Sequence, residues 1–143
     1  MTTGPDESDG WTNHLRLYQQ ADARYQQGQT RSALKLFRAA LSLAPGDADT
    51  LWAMADCYSD LAQPRKAERY YRLARACVPW SERGDLLYHI ANALLDQGRL
   101  GAALSLYRRV PRSATVFDQA RTNALRALRH IHRRVRASGS AQT

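Results

Sequence analysis

Residues 33–45 read ALKLFRAALSLAP, and residues 67–79 read AERYYRLARACVP. Laid over one another at an offset of 34 residues, they align Ala33 with Ala67, Phe37 with Tyr71, Ala40 with Ala74 and Pro45 with Pro79. A third copy, a further 36 residues on, keeps Ala103 and Tyr107 and puts Val110 where the second alanine stood. Working outward, Gly28, Ala62 and Gly98 precede the copies at one equivalent position, and Ala21, Ala55 and Ala91 at another. A period of this length marks stacked helical hairpins, each of which buries its apolar face only against its neighbours. The positions have separate physical reasons. Small side chains let two helix backbones approach, a ring fills the gap between hairpins, and proline ends a helix.

The pattern predicts paired helices over about 12–27 and 30–44, from Asp47 or Asp49 to about 61, from Pro64 to Pro79, from Ser81 or Asp85 to Gly98, and from Leu100 to Pro111. Thr12, Thr30 and Asp47 or Asp49 are the expected N-caps, and Pro64 suits a first helical turn. The third copy departs from the others, since Pro111 arrives early and Thr115 stands where a closing proline is expected, so its second helix is short. A last helix is expected over 113–136. Phe117, Ala120, Ala124, Leu128, Ile131 and Val135 recur on it at steps of three and four, a stripe that should pack on the preceding helix and close the array.

The register resembles the tetratricopeptide repeat over roughly residues 14–115. That resemblance implies an all-α fold, a right-handed solenoid of three helical hairpins with a C-terminal capping helix. The corresponding division is a disordered acidic N-terminus at 1–11, a repeat domain at 12–136 and a disordered polar tail at 137–143. It also implies a module that binds other polypeptides rather than an enzyme.

Composition narrows the function. No apolar run approaches the roughly 20 residues of a membrane span, and residues 1–10 lack a signal-peptide pattern, so a cytoplasmic protein is expected. Residues 1–100 hold 12 Lys/Arg and 12 Asp/Glu, whereas residues 101–143 hold nine Arg and one acid, which is the whole net charge of +8. Cys57 and Cys77 read as small buried thiols. No phosphate loop, HExxH or CxxC is present; His130 and His132 point to different faces of a helix, and His14 and His89 stand alone. No metal, cofactor or catalytic site is expected.

In tetratricopeptide arrays the first helix of each hairpin lines the groove. Aligning those helices puts Tyr18, Trp52 and Tyr88 at one position, Asp22, Asp56 and Asn92 one turn later, and Tyr25 and Leu95 nearby. Rings offer stiff contact area to an extended apolar segment of a protein client, and the polar row offers hydrogen bonds to its backbone. The family's carboxylate clamp uses Lys, Arg and Asn; here those positions carry Asp, Gln, Ala, Tyr and Trp, which does not suit an acidic tail. The chain is similar to the class II chaperones of bacterial type III secretion, through Asp49–Cys57, the Gly98–Leu104 hairpin and the overall length, although those chaperones are usually acidic. A generic adaptor or scaffold subunit is the alternative, and homodimers or heterocomplexes fit either. Arg126, Arg129, Arg133 and Arg136 form a basic face on the last helix. It reads first as a solvated surface, then as a site for an acidic partner or for Asp6, Glu7 and Asp9, and last as a nucleic-acid contact.

Overall fold

In the computed structural model, which describes residues 7–141, the repeated small residues sit where helices touch. Ala21, Ala33, Ala40, Ala55, Ala67, Ala74, Ala91 and Ala103 are all fully buried, and the aligned rings Phe37, Tyr71 and Tyr107 are nearly so. The described residues form seven α-helices and one 3-10 turn, an all-α chain of helical hairpins ending in a long C-terminal helix. The chain divides into two compact units, Met1–Cys77 and Val78–Thr143.

The first unit holds α1 (Glu7–Gln26), α2 (Thr30–Leu43), α3 (Ala48–Asp60) and α4 (Pro64–Cys77). α1 pairs with α2 and α3 with α4, and α2 packs on α3. α1 begins five residues ahead of the expected cap Thr12, so residues 7–11 are helical. Asp9 in its first turn suits the positive end of the helix dipole. Residues 1–6, with the rest of the expected acidic N-terminus, lie outside the described residues. Thr30 is the first residue of α2 rather than its cap, which is Gln29. Between the expected alternatives, Asp47 caps α3, its Oδ2 accepting from Thr50 N at 3.0 Å and Thr50 Oγ1 at 2.6 Å. Cys57 is buried as expected, but Cys77, the last residue of α4, is exposed; both are free thiols.

Three turns repeat one geometry. Gly28 and Gly98 have φ of +77° and +74°, and Ala62 adopts the same left-handed conformation at +56°. In each the next residue donates its N–H back five residues, Gln29 to Arg24 O, Gln63 to Tyr58 O and Arg99 to Leu94 O, all at 2.9 Å. This is the helix-ending motif in which glycine is normally placed because a Cβ is strained there.

The second unit holds the 3-10 turn Trp80–Glu82, then α5 (Arg83–Asp96), α6 (Leu100–Arg109) and α7 (Phe117–Ser140). α5 opens at neither Ser81 nor Asp85, because the 3-10 turn runs straight into Arg83. α6 is short, as the early Pro111 predicts: 10 residues against 14 in α2 and α4. Pro111 folds back on the first turn of α5, where a Cβ on Gly84 would meet its Cδ at 2.8 Å. Thr115 Oγ1 donates to Asp85 Oδ2 at 3.1 Å and keeps residue 115 in the loop. α7 therefore starts four residues later than the expected 113. It also ends later, at Ser140, so the expected disordered tail is helical through residue 140.

α7 packs on α6, but its buried positions are Ala120 and Ala127, with Val135 63% exposed. Phe117, Ala124, Leu128 and Ile131 are half-buried, so the expected stripe faces inward until it runs past its partner. At about 1.5 Å per residue, the 24 residues of α7 outreach the 10 of α6. Among the described residues, no helix is long and apolar enough to cross a membrane.

Candidate functional site

Tyr18, Asp22 and Tyr25 follow one another at helical steps along α1, and Asp49, Trp52 and Asp56 do so along α3. Each set therefore shares a face of its helix. With Gln26, Ala53 and Phe37, they line one cavity of about 280 Å3 in the first unit. Phe37 reaches it from α2 and supports Tyr18 edge-on, ring centroids 5.4 Å apart. The Tyr25 hydroxyl crosses to α3, donating to Asp60 Oδ2 at 2.6 Å. From α4, Tyr71 donates its hydroxyl to Asp56 Oδ1 at 2.6 Å.

The cavity has negative electrostatic character. Burial, then the carboxylates of Asp49 and Asp22, hold the Tyr18 phenol above its ordinary value. Burial likewise raises the carboxyl of Asp56, against the lowering effect of the Tyr71 hydroxyl. No lysine or arginine lines the cavity. Charge is segregated by helix: α2 and α4 carry eight Lys/Arg and only Glu68 as an acid, whereas α3 carries Asp49, Asp56 and Asp60 and no base.

His14 ties the two walls together. It is 2% exposed, its Nδ1 donates to Ala40 O at 2.9 Å, and its Nε2 lies 3.4 Å from Asp47 Oδ2. Since Asp47 caps α3, His14 links α1 to the start of the opposite wall. Sequence reasoning left His14 without a role. It also read Asp49 only as a possible cap and Phe37 only as core. Their cue was spacing, because Asp49 stands one turn before Trp52.

Tyr88, Asn92 and Leu95 lie on α5 in the second unit and are half-buried. Asn92 Oδ1 accepts from the Tyr107 hydroxyl at 2.6 Å and from Asn123 Nδ2 of α7 at 3.0 Å. The same Asn123 amide lies 3.5 Å from the Tyr88 hydroxyl. α7 thus supplies Asn92 with the kind of N–H donor that a bound backbone would offer. Asn123 lies beside, not on, the expected apolar stripe, and nothing in its local sequence announced this reach. Arg126, Arg129, Arg133 and Arg136 are all exposed on α7. Among the described residues, no cluster of His, Cys, Asp or Glu is arranged to hold a metal.

Hairpins of this period, with small residues at the crossings and a lined cavity on the first helices of the first unit, define a helical-repeat fold. Residues 24–79 match the family model of the tetratricopeptide repeat. None of the curated proteins matches the chain by sequence. Among solved structures, the type III secretion chaperone SycD of Yersinia enterocolitica, in complex with a peptide of the translocator YopD, superposes with a TM-score of 0.68 at 23% identity, over 83% of this chain and 92% of that one. The first tetratricopeptide domain of Spaghetti (RPAP3), bound to the HSP90 peptide SRMEEVD, gives 0.75 at 17% identity, over 85% and 94%. The Arabidopsis OM64 tetratricopeptide domain gives 0.75 at 16%, over 85% and 98%. At such identities the likeness is one of fold. Residues 24–79 thus resemble the tetratricopeptide repeat in sequence, and the chain shares the fold of tetratricopeptide domains.

Proposed function

We propose that this protein is a non-enzymatic binder of extended polypeptide segments, and most specifically a cytoplasmic type III secretion chaperone that holds a secreted client until export. The observation that carries the reading is the cavity between α1 and α3, where Tyr18, Tyr25, Trp52 and Phe37 gather beside Asp22, Asp49 and Asp56. Rigid rings give contact area at small entropic cost, and carboxylates beside them fix the register of a bound chain. The fold it shares with SycD and with the RPAP3 domain, both solved with peptides, supports a peptide client. Tyr18, Trp52 and Tyr88 supply contact area in this reading, and Asp22 and Asp56 supply acceptors. Asn92 serves less directly, because Tyr107 and Asn123 already engage it.

The test is affinity capture from the native cell, comparing the wild type with a Tyr18→Ala/Trp52→Ala variant of unchanged helicity. One dominant protein, lost with the variant and prone to aggregate without the wild type, establishes a chaperone. A stable multi-subunit complex retained by the variant points instead to the scaffold reading. The exposed arginines of α7 favour, as a second reading, an acidic partner or nucleic acid; binding of that kind falls steeply with salt and with Arg129, Arg133 and Arg136 replaced.

A further inference from the structure

We propose that the cavity between α1 and α3 seats the side chain of an arginine or lysine carried by the bound segment. The inference rests on reading this face as a peptide site and adds which residue the site selects.

Three observations converge. The first is size: about 280 Å3 lies just below the roughly 300–1,000 Å3 of small-molecule pockets, the scale of one long side chain. The second is the wall. Four aromatic residues surround the space, and ring faces attract a cation while accepting the aliphatic stem of Arg or Lys. The third is charge. Asp22, Asp49 and Asp56 line the same space, no base does, and the basic residues of this unit are concentrated on α2 and α4. An acidic tail would meet like charge here. A purely apolar side chain would leave Asp22 and Asp49 without a counter-charge, whereas a guanidinium or ammonium satisfies carboxylate and ring together. Asp22 is open to this contact because its counterpart across the hairpin is Phe37. The tyrosines that engage Asp56 and Asn92 have no hydroxyl equivalent at that position.

The experiment is selection of phage-displayed random dodecapeptides on the immobilised full-length chain, followed by anisotropy with the enriched peptide. The expected result is a basic residue at fixed spacing from apolar ones. Replacing that basic residue with norleucine should weaken binding by ~tenfold or more. Asp22→Asn/Asp49→Asn in the protein should produce a similar loss, while Glu68→Gln on α4 should leave affinity unchanged. Enriched peptides that bind equally with norleucine would overturn the cation site and leave the peptide groove standing. Failure to enrich any peptide would overturn both readings.

Discussion

The Tyr71 hydroxyl lies 2.6 Å from Asp56 Oδ1 across an interval of fifteen residues, and Tyr107 repeats the bond to Asn92 at the same interval and length. The first repeat has the same interval between Asp22 and Phe37, but no hydroxyl. Two hairpins thus fasten their second helix to the polar residue of the first, and one leaves that residue exposed on the cavity wall.

Adding and removing that hydroxyl should have opposite effects. Tyr71→Phe should cost about 1–2 kcal/mol in urea unfolding, since Asp56, a partly buried acceptor, loses the hydrogen bond that Tyr71 donates. Phe37→Tyr should stabilise by about 1 kcal/mol and, by engaging Asp22, weaken binding of a basic peptide. Unchanged stability in both variants would show that the fifteen-residue interval has no energetic meaning.

Asp56 gives a pH signature. Burial raises its carboxyl above the ordinary value of 3.8. A raised group favours folding below that ordinary value, and the contribution is lost as pH rises through the folded-state value. At pH 7 the ionised carboxylate is therefore a liability. Asp56→Asn removes it while keeping an acceptor for Tyr71, as Asn92 does for Tyr107. The variant should melt no lower than wild type at pH 7 and lose ground to it steadily toward pH 3. A gap independent of pH would contradict this.

Ala62 occupies a left-handed turn in which its two counterparts are glycine. Ala62→Gly should raise stability by about 0.5–1 kcal/mol, the relief of Cβ strain exceeding the added freedom of the unfolded chain. Scanning calorimetry should show an increase of roughly 2–4 °C. A lower melting temperature would mean that the alanine is not strained.

Gly84 meets the opposite constraint. An added Cβ would stand 2.8 Å from both Cγ and Cδ of Pro111 and 3.4 Å from Ala114 Cβ. Gly84→Ala should cost about 1–3 kcal/mol through overpacking, with near-native helicity in the folded state. Wild-type stability would show that the 110–116 loop yields freely.

The hairpins were legible because Ala33, Phe37, Gly28 and their repeats each answer one geometric demand, so the pattern returns intact at a fixed offset. Tyr18, Asp22, Tyr25, Trp52 and Asp56 were legible as one set because spacing along a helix fixes a shared face. What was not legible depends on contacts distant in sequence. The reach of Asn123 to Asn92 spans 31 residues, across a connection held by Pro111 on Gly84 and by the Thr115–Asp85 bond. The role of His14 depends on a carbonyl 26 residues away. The early start of α1 and the 3-10 turn at Trp80 carry no repeat to announce them.

The separation of charge between α3 and the pair α2 and α4 makes the first unit an electric dipole. In the field of an anionic surface it feels a torque that brings the basic helices inward and turns the carboxylate-lined cavity away. For that unit taken by itself, the preferred orientation leaves the cavity facing solution, and dissolved salt progressively erases it.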